Sequence, residues 1–360
     1  MRCAAIAGLQ LFAATTVLAD ANHDVVLFGS VDTFDNRFSN PPAVAEDDFV
    51  RPSLDILYTY SGEKFRFLGE YLWSSTESEM ERLKVGWQAG TNTMVWFGRF
   101  HSTSKYWTNE YHHGQFMQTP ITRPSVEEWE DESGPMPSHL TGLSIEQERE
   151  LSGERALNWA FSLGLAPKFE SQQLHAFDVL EPESGHGLGT NLRLVYRPEV
   201  LEENQVGLLL GFSDINVESG SHPNLADLDQ IAQTTIGVFS DWRWREWRFI
   251  ANAIYFDNRM TYVDRKSIDR FTATYLQVEY KVNDDWTAFG RTDNAFEEDN
   301  SPYLRLLPAF IAHRTMLGAR WDFLPLQSLT AEFGVTSAQG ESLSHNNFQE
   351  IRLQWSGVFR

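Results

Sequence analysis

The chain has 360 residues with 29 Lys and Arg against 50 Asp and Glu, a net charge of −21, 13% aromatic residues and one cysteine, Cys3. That balance repels nucleic acid and anionic membrane surfaces, and one cysteine excludes an internal disulfide framework. Beyond residue 21 no stretch approaches 18 consecutive apolar positions, so helical membrane spans are excluded as well.

Residues 1–21 read as a signal peptide: Arg2 is the positive n-region, Ala4 to Leu18 the apolar run, and Ala19-Asp20-Ala21 a small-x-small cleavage site. Cleavage removes one base, Arg2, and one acid, Asp20, and leaves the net charge unchanged. An exported, acidic, aromatic-rich chain without disulfides directs attention to a transmembrane β-barrel, whose test is period-two alternation in segments of about ten residues.

Alternation begins at 25–34. It is plain at 50–60, where Leu54, Ile56, Tyr58 and Tyr60 share one face and Arg51, Ser53 and Asp55 the other. It continues at 64–74, 79–89 and 93–101, the last carrying Arg99 and His101 opposite Met94, Trp96 and Phe100. After a long irregular stretch it resumes at 139–148, 156–165, 187–197, 204–215, 230–242, 246–257, 270–281, 285–294, 308–322, 327–338 and 348–359. These make sixteen predicted strands. Short turns, as at 61–63, 90–92 and 243–245, alternate with longer connections at 35–49, 75–78, 102–138, 166–186, 216–229, 258–269, 295–307 and 339–347. Short turns on one side and long loops on the other is the layout of an outer-membrane barrel. Trp73, Trp242, Trp247, Trp286, Trp321 and Trp355 lie near strand ends, as interfacial girdles require. A soluble β-sandwich or propeller is the competing architecture; it needs no apolar face on every strand, and no blade-length repeat is present. The expected fold is all-β: a single 16-stranded antiparallel barrel over residues 22–360, with short periplasmic turns.

Residues 102–138 form the longest segment without alternation. Pro120, Pro124, Pro135 and Pro137 disfavour a long helix or central strand there, and Tyr106, Trp107, Tyr111, Phe116 and Trp129 argue for order. The segment also holds the densest acidic cluster, Glu127, Glu128, Glu130, Asp131 and Glu132. A loop of this length inside a compact architecture is usually functional.

If the apolar faces meet lipid, Arg66, Arg82, Arg99, Arg314 and Arg320 face a lumen with a net basic wall, opposite the acidic cluster. A transverse field of that kind sets ion preference in pores. In the alternative, the arginines pair with neighbouring acids and tile the wall. His101, His112, His113 and His139 raise the question of a metal ion, with His112, His113 and His139 the candidate ligands. Their spacing matches no zinc motif, and histidines that bond the loop to the wall are the preferred reading. No cofactor is expected. No G-x-S-x-G, phosphate loop, H-E-x-x-H or dinucleotide fingerprint is present, so an enzyme is not expected either.

With these features together, the sequence resembles the 16-stranded porins of the Gram-negative outer membrane. The resemblance runs over the mature chain by pattern, including a final strand that alternates up to the penultimate Phe359. Gly98-Arg99-Phe100-His101, Tyr111-His112-His113-Gly114, Arg123-Pro124 and Pro137-Ser138-His139 also resemble a porin-like group of exported bacterial proteins with no settled substrate. The resemblance implies that 102–138, between strands five and six, folds into the barrel as a constriction loop, and that the protein is a homotrimer. It further implies passive diffusion of small hydrophilic solutes or ions across the outer membrane, with outer-membrane lipid around the barrel. Arg66, Arg82, Arg99, His101, His112, His113, the five carboxylates of 127–132, Arg314 and Arg320 are the expected lining. A selective uptake channel for an anionic solute or metal complex, and a closed barrel serving adhesion, are the alternatives.

Overall fold

The computed structural model describes residues 23–38, 50–75, 78–111, 114–199, 202–218, 227–298, 301–307, 309–338 and 346–360. The predicted signal peptide, and with it residues 1–21, lies outside them, as do His112 and His113. Sixteen strands close an antiparallel barrel. They are β1 (His23–Phe38), β2 (Val50–Ser61), β3 (Phe65–Ser74), β4 (Ser78–Gly90), β5 (Thr93–His101), β6 (His139–Leu151) and β7 (Arg155–Leu165). A small hairpin, β8 (Lys168–Glu170) and β9 (Gln173–His175), stands outside the wall. The wall resumes with β10 (Leu188–Arg197), β11 (Gln205–Asn216), β12 (Leu228–Trp244), β13 (Trp247–Tyr262), β14 (Lys266–Lys281), β15 (Trp286–Phe296), β16 (Ile311–Leu324), β17 (Gln327–Ala338) and β18 (Asn346–Phe359). Each wall strand pairs with its neighbours in sequence, and β1 closes on β18 with Gly29 opposite Gly357.

Closure removes every sheet edge, so all ladder donors and acceptors of the wall are used within it. The outer face carries exposed Phe65, Trp87, Phe97, Ile236, Val238, Leu276, Leu317, Phe333 and Leu353, while the alternate positions are buried and largely polar. This is the reverse of a soluble sandwich and the signature of a wall that meets hydrocarbon.

One connection differs from expectation. Residues 258–269 are predicted as a long loop, but β13 and β14 run on to Tyr262 and from Lys266, paired from Trp247–Tyr280 through Thr261–Lys266. Met260 and Phe271 turn inward onto a packed interior, with Asn258 and Asp269 buried beside them, and hold the hairpin in register.

Candidate functional site: the barrel interior

The segment between β5 and β6 starts and ends at one place in the wall. His101 closes β5 opposite His139, which opens β6, and Ser102 N–H donates to the Ser138 carbonyl at 2.6 Å. Glu130 locks the returning end: its carboxylate accepts from the Ser138 and His139 backbone N–H groups, and Oε1 lies 2.9 Å from His139 Nδ1. Burial pushes the Glu130 carboxyl up, but His139, Lys105 and the Ser138 N–H outweigh it and hold the group below its ordinary value. The departing end forms a short helix, α1 (Tyr106–Tyr111), with Tyr106 and Trp107 fully buried. Asn109 Nδ2 donates back to the Ser102 carbonyl at 2.7 Å.

From this root the segment crosses to the far wall, and its bonds are made to inward-facing residues of several strands. Arg291 on β15 donates to the Thr122 carbonyl at 2.7 Å and the Arg123 carbonyl at 2.8 Å. Glu332 on β17 accepts from Ile121 N–H at 2.9 Å and Thr122 N–H at 3.2 Å. Arg320 on β16 donates to the carbonyls of Phe116 and Gln118 at 2.7 and 2.6 Å. On the opposite flank Tyr106 Oη donates to Asp241 at 2.6 Å and Asn252 Nδ2 to Glu127 at 2.9 Å. A proline-rich stretch has few ladder bonds of its own, so the wall's long polar side chains satisfy its carbonyls.

One side of the interior holds an apolar cluster. Tyr106, Trp107, Tyr111, Val126 and Met136 pack with Phe239, Ile250, Ile254, Phe256 and Phe271 of the wall, and with Tyr303, Leu304, Leu307 and Phe310 from the connection before β16. The sequence reading put the apolar residues of 246–257 on the outer face alone. The missed signal is that Phe249, Ile250, Ile254, Tyr255 and Phe256 fall on both parities: Phe249 and Tyr255 are exposed on the outer face, and Ile250, Ile254 and Phe256 are buried inside.

Two large vestibules remain, one toward each end of the barrel. At the long-loop end a vestibule of ≈ 790 Å³ is lined by residues that include Asp32, Arg51, Glu128, Asp131, Glu132 and Arg352. At the short-turn end one of ≈ 820 Å³ is lined by residues that include Arg66, Glu110, Glu146, Arg193, Arg197 and Arg248. The five predicted carboxylates therefore separate. Glu128, Asp131 and Glu132 line the first vestibule, whereas Glu127 is fully buried beneath the segment and Glu130 holds its root. The wall arginines are largely paired: Arg82 with Glu70, Arg99 with Glu79, Arg291 with Asp293, Arg314 and Arg352 with Glu350, and Arg320 with Asp322. The tiled-wall alternative thus describes most of them, and Arg66 faces the short-turn vestibule.

Lys105 carries a role the sequence reading did not assign, although it is the one base between Arg99 and Arg123. Its Nζ donates to the Glu128 carbonyl at 2.6 Å and to Ser138 Oγ, bracing the two limbs of the segment. Burial, opposed by Glu127 and Glu130, lowers its pKa to about 8. A lysine whose folded value lies below the unfolded 10.5 binds fewer protons when folded, so stability rises as pH climbs from about 8 to 10.5 and is flat below. Urea midpoints in detergent between pH 7.5 and 10.5 are expected to show this rise, on the order of 3 kcal/mol in all, and Lys105→Met to flatten it. A midpoint that falls over that range in the wild type refutes the assignment.

No protein-family model matches the chain, and no curated protein is similar to it in sequence. Its fold is found among solved structures. The anion-selective porin from Comamonas acidovorans superposes with a TM-score of 0.60 at 12% identity, covering 94% of this chain and 100% of the porin. The outer membrane channel DcaP of Acinetobacter baumannii gives 0.59 at 11%, covering 95% and 99%. In-vitro folded OmpT, an outer membrane protein of Vibrio cholerae, in its trimer form, gives 0.52 at 10%, covering 94% and 100%. These likenesses run over the full wall, so the chain has the fold of the outer-membrane porins.

Proposed function

We propose, from this porin fold, that the protein is an outer-membrane channel through which small hydrophilic solutes or ions move passively, with residues 102–138 as its constriction. The observation that carries the reading is the pair of polar-lined vestibules, ≈ 790 and ≈ 820 Å³, on either side of a segment tied to both flanks of the wall. An apolar outer face against lipid and a polar, charged inner face are what a water-filled barrel requires. Transport rather than catalysis is the function, and a homotrimer is the proposed assembly, by likeness to the trimer form of the Vibrio cholerae protein.

The packed apolar cluster inside the barrel favours a narrow, selective passage over a wide one. The acids and bases that line the two vestibules supply the field at either mouth.

Planar-bilayer recording tests this. In a salt gradient, Glu128→Gln with Asp131→Asn and Glu132→Gln is expected to move the zero-current potential toward anion preference. Glu127→Gln, which lines neither vestibule, is expected to leave the potential in place and lower stability instead. A silent bilayer would replace the channel with a closed barrel, and an unmoved potential in the triple variant takes the segment out of the conduction path.

A further inference from the structure

The root of the inward segment holds a cluster that the channel reading does not use. Glu81, His101 and His139 come from three adjacent strands, and all three are buried, with 2%, 5% and 4% of their surface exposed. The β3–β4 ladder steps from Glu70–Arg82 to Tyr71–Met80, which leaves Glu81 as an extra residue, a β-bulge. The bulge is what turns Glu81 inward beside Arg82; regular alternation points one of the two outward. Bulges re-aim side chains in this way next to functional sites.

We propose that Glu81, His101 and His139 form a binding site for a divalent transition ion of the zinc type. The ligand-bearing atoms of the three residues all lie within 4.8 Å of one another, and His139 Nε2 is 3.0 Å from a Glu81 oxygen. Ligands about 2.0–2.1 Å from a tetrahedral zinc are separated by roughly 3.3 Å, so side-chain adjustments on the order of 1 Å complete the set. Two imidazoles and a carboxylate suit zinc, cobalt, nickel or iron(II), and are a poor match for calcium or magnesium, which take oxygen.

The surroundings are those of a metal-binding histidine. His139 Nδ1 faces Glu130 Oε1 at 2.9 Å, which fixes the ring and directs Nε2 at Glu81; a carboxylate behind an imidazole in this way is the usual outer partner of a ligating histidine. Glu130 is itself held by the Ser138 and His139 N–H groups. Trp129 stacks on the His139 ring at 5.4 Å and covers His101 at 5.6 Å. The nearby cations are engaged elsewhere: Arg82 with Glu70, and Arg99 with Glu79 and the Glu81 carbonyl.

An access route exists. A cavity of ≈ 420 Å³ reaches His139, and in its lining Asp131, Glu170, Asp178, Glu181 and Glu183 outnumber Lys168 and Arg99. Such a funnel concentrates cations at its inner end. An ion bound there joins the last residue of β5 to the first of β6, so it fastens both ends of the inward segment at once.

The rival is an imidazolium of His139 bridging Glu81 and Glu130 with no ion. Chelator-stripped full-length protein in detergent, titrated with Co²⁺, decides between them. The expected result is a saturable 1:1 visible spectrum, displaced by Zn²⁺, with strongly shifted imidazole resonances from two histidines. Glu81→Gln and His101→Gln are expected to weaken binding about 10- to 100-fold or more, whereas His112→Gln with His113→Gln leaves it unchanged. The proposal is overturned by the absence of a 1:1 cobalt spectrum in the wild type, a result independent of whether any variant folds. It is also overturned by full affinity in folded Glu81→Gln and His101→Gln, judged folded by heat-modifiable migration.

Discussion

Replacing residues 104–136 with a short Gly-Ser linker is expected to raise the single-channel conductance several-fold. The ends to be joined already touch, with Ser102 N–H bonded to the Ser138 carbonyl at 2.6 Å, so the replacement leaves β5 and β6 undisturbed. What leaves the lumen is α1, the Pro120–Ser125 stretch bonded to Arg291 and Glu332, and the apolar side chains Tyr106, Trp107 and Met136. The two vestibules then meet along the wall. The same change bares Phe239, Ile254 and Phe256 to the lumen, so a lower thermal midpoint is expected alongside the larger current. An unchanged conductance in the folded variant would falsify the assignment of this segment as the constriction.

The second large effect concerns Arg291. Its guanidinium is fully enclosed, 3.0 Å from Asp293, and it donates to two carbonyls and a hydroxyl of Thr122 and Arg123. Arg291→Met removes all of these at once and leaves the fully buried Asp293 carboxylate without its hydrogen-bonded cation. Removal of one partner of a buried pair costs about 3–5 kcal/mol. The expected outcome is a corresponding loss in urea stability, together with new protease cleavage between 118 and 128 as the segment comes off the wall. Arg291→Met with Asp293→Asn is expected to lose less than the single variant, because the orphaned charge is gone. If the single variant is as stable and as protected as the wild type, Arg291 does not anchor the segment.

The wall was largely legible before the structure. Strand alternation is a backbone property: side chains on a strand point to opposite faces in turn, so a barrel between lipid and water prints its two solvents on the sequence at period two. The stretch 64–74 against the observed Phe65–Ser74, and 327–338 against Gln327–Ala338, show how closely that signal places an element. The pattern failed where the second solvent is absent. Along 258–269 a loop was expected, but Met260 and Phe271 are buried in the interior cluster and the hairpin stays paired.

The interior was legible only in part. A proline-rich, aromatic, acidic stretch between the fifth and sixth strands could be picked out as special. Nothing local assigns its carboxylates, though: Glu127 and Glu128 are neighbours, yet one is sealed beneath the segment and the other lines a vestibule. The histidines could be picked out only as a group. Proximity in sequence drew attention to His112 and His113, which lie outside the described residues, whereas the ring that meets His101 is His139, 38 positions on but its partner in the β5–β6 register.

By itself, then, the chain determined the class of its fold, the number and placement of the wall strands, and which connection is the longest. Each follows from residue type and spacing along a few consecutive positions. Only the tertiary structure decided that an apolar cluster packs inside the barrel, that most wall arginines are neutralised by a neighbour, and that a bulge carries Glu81 to two histidines. Those depend on which strands lie side by side and what the inward segment meets on the far wall. Contacts such as Arg291 to Thr122, 169 residues apart, are created by closure of the barrel and leave no periodic trace in the sequence.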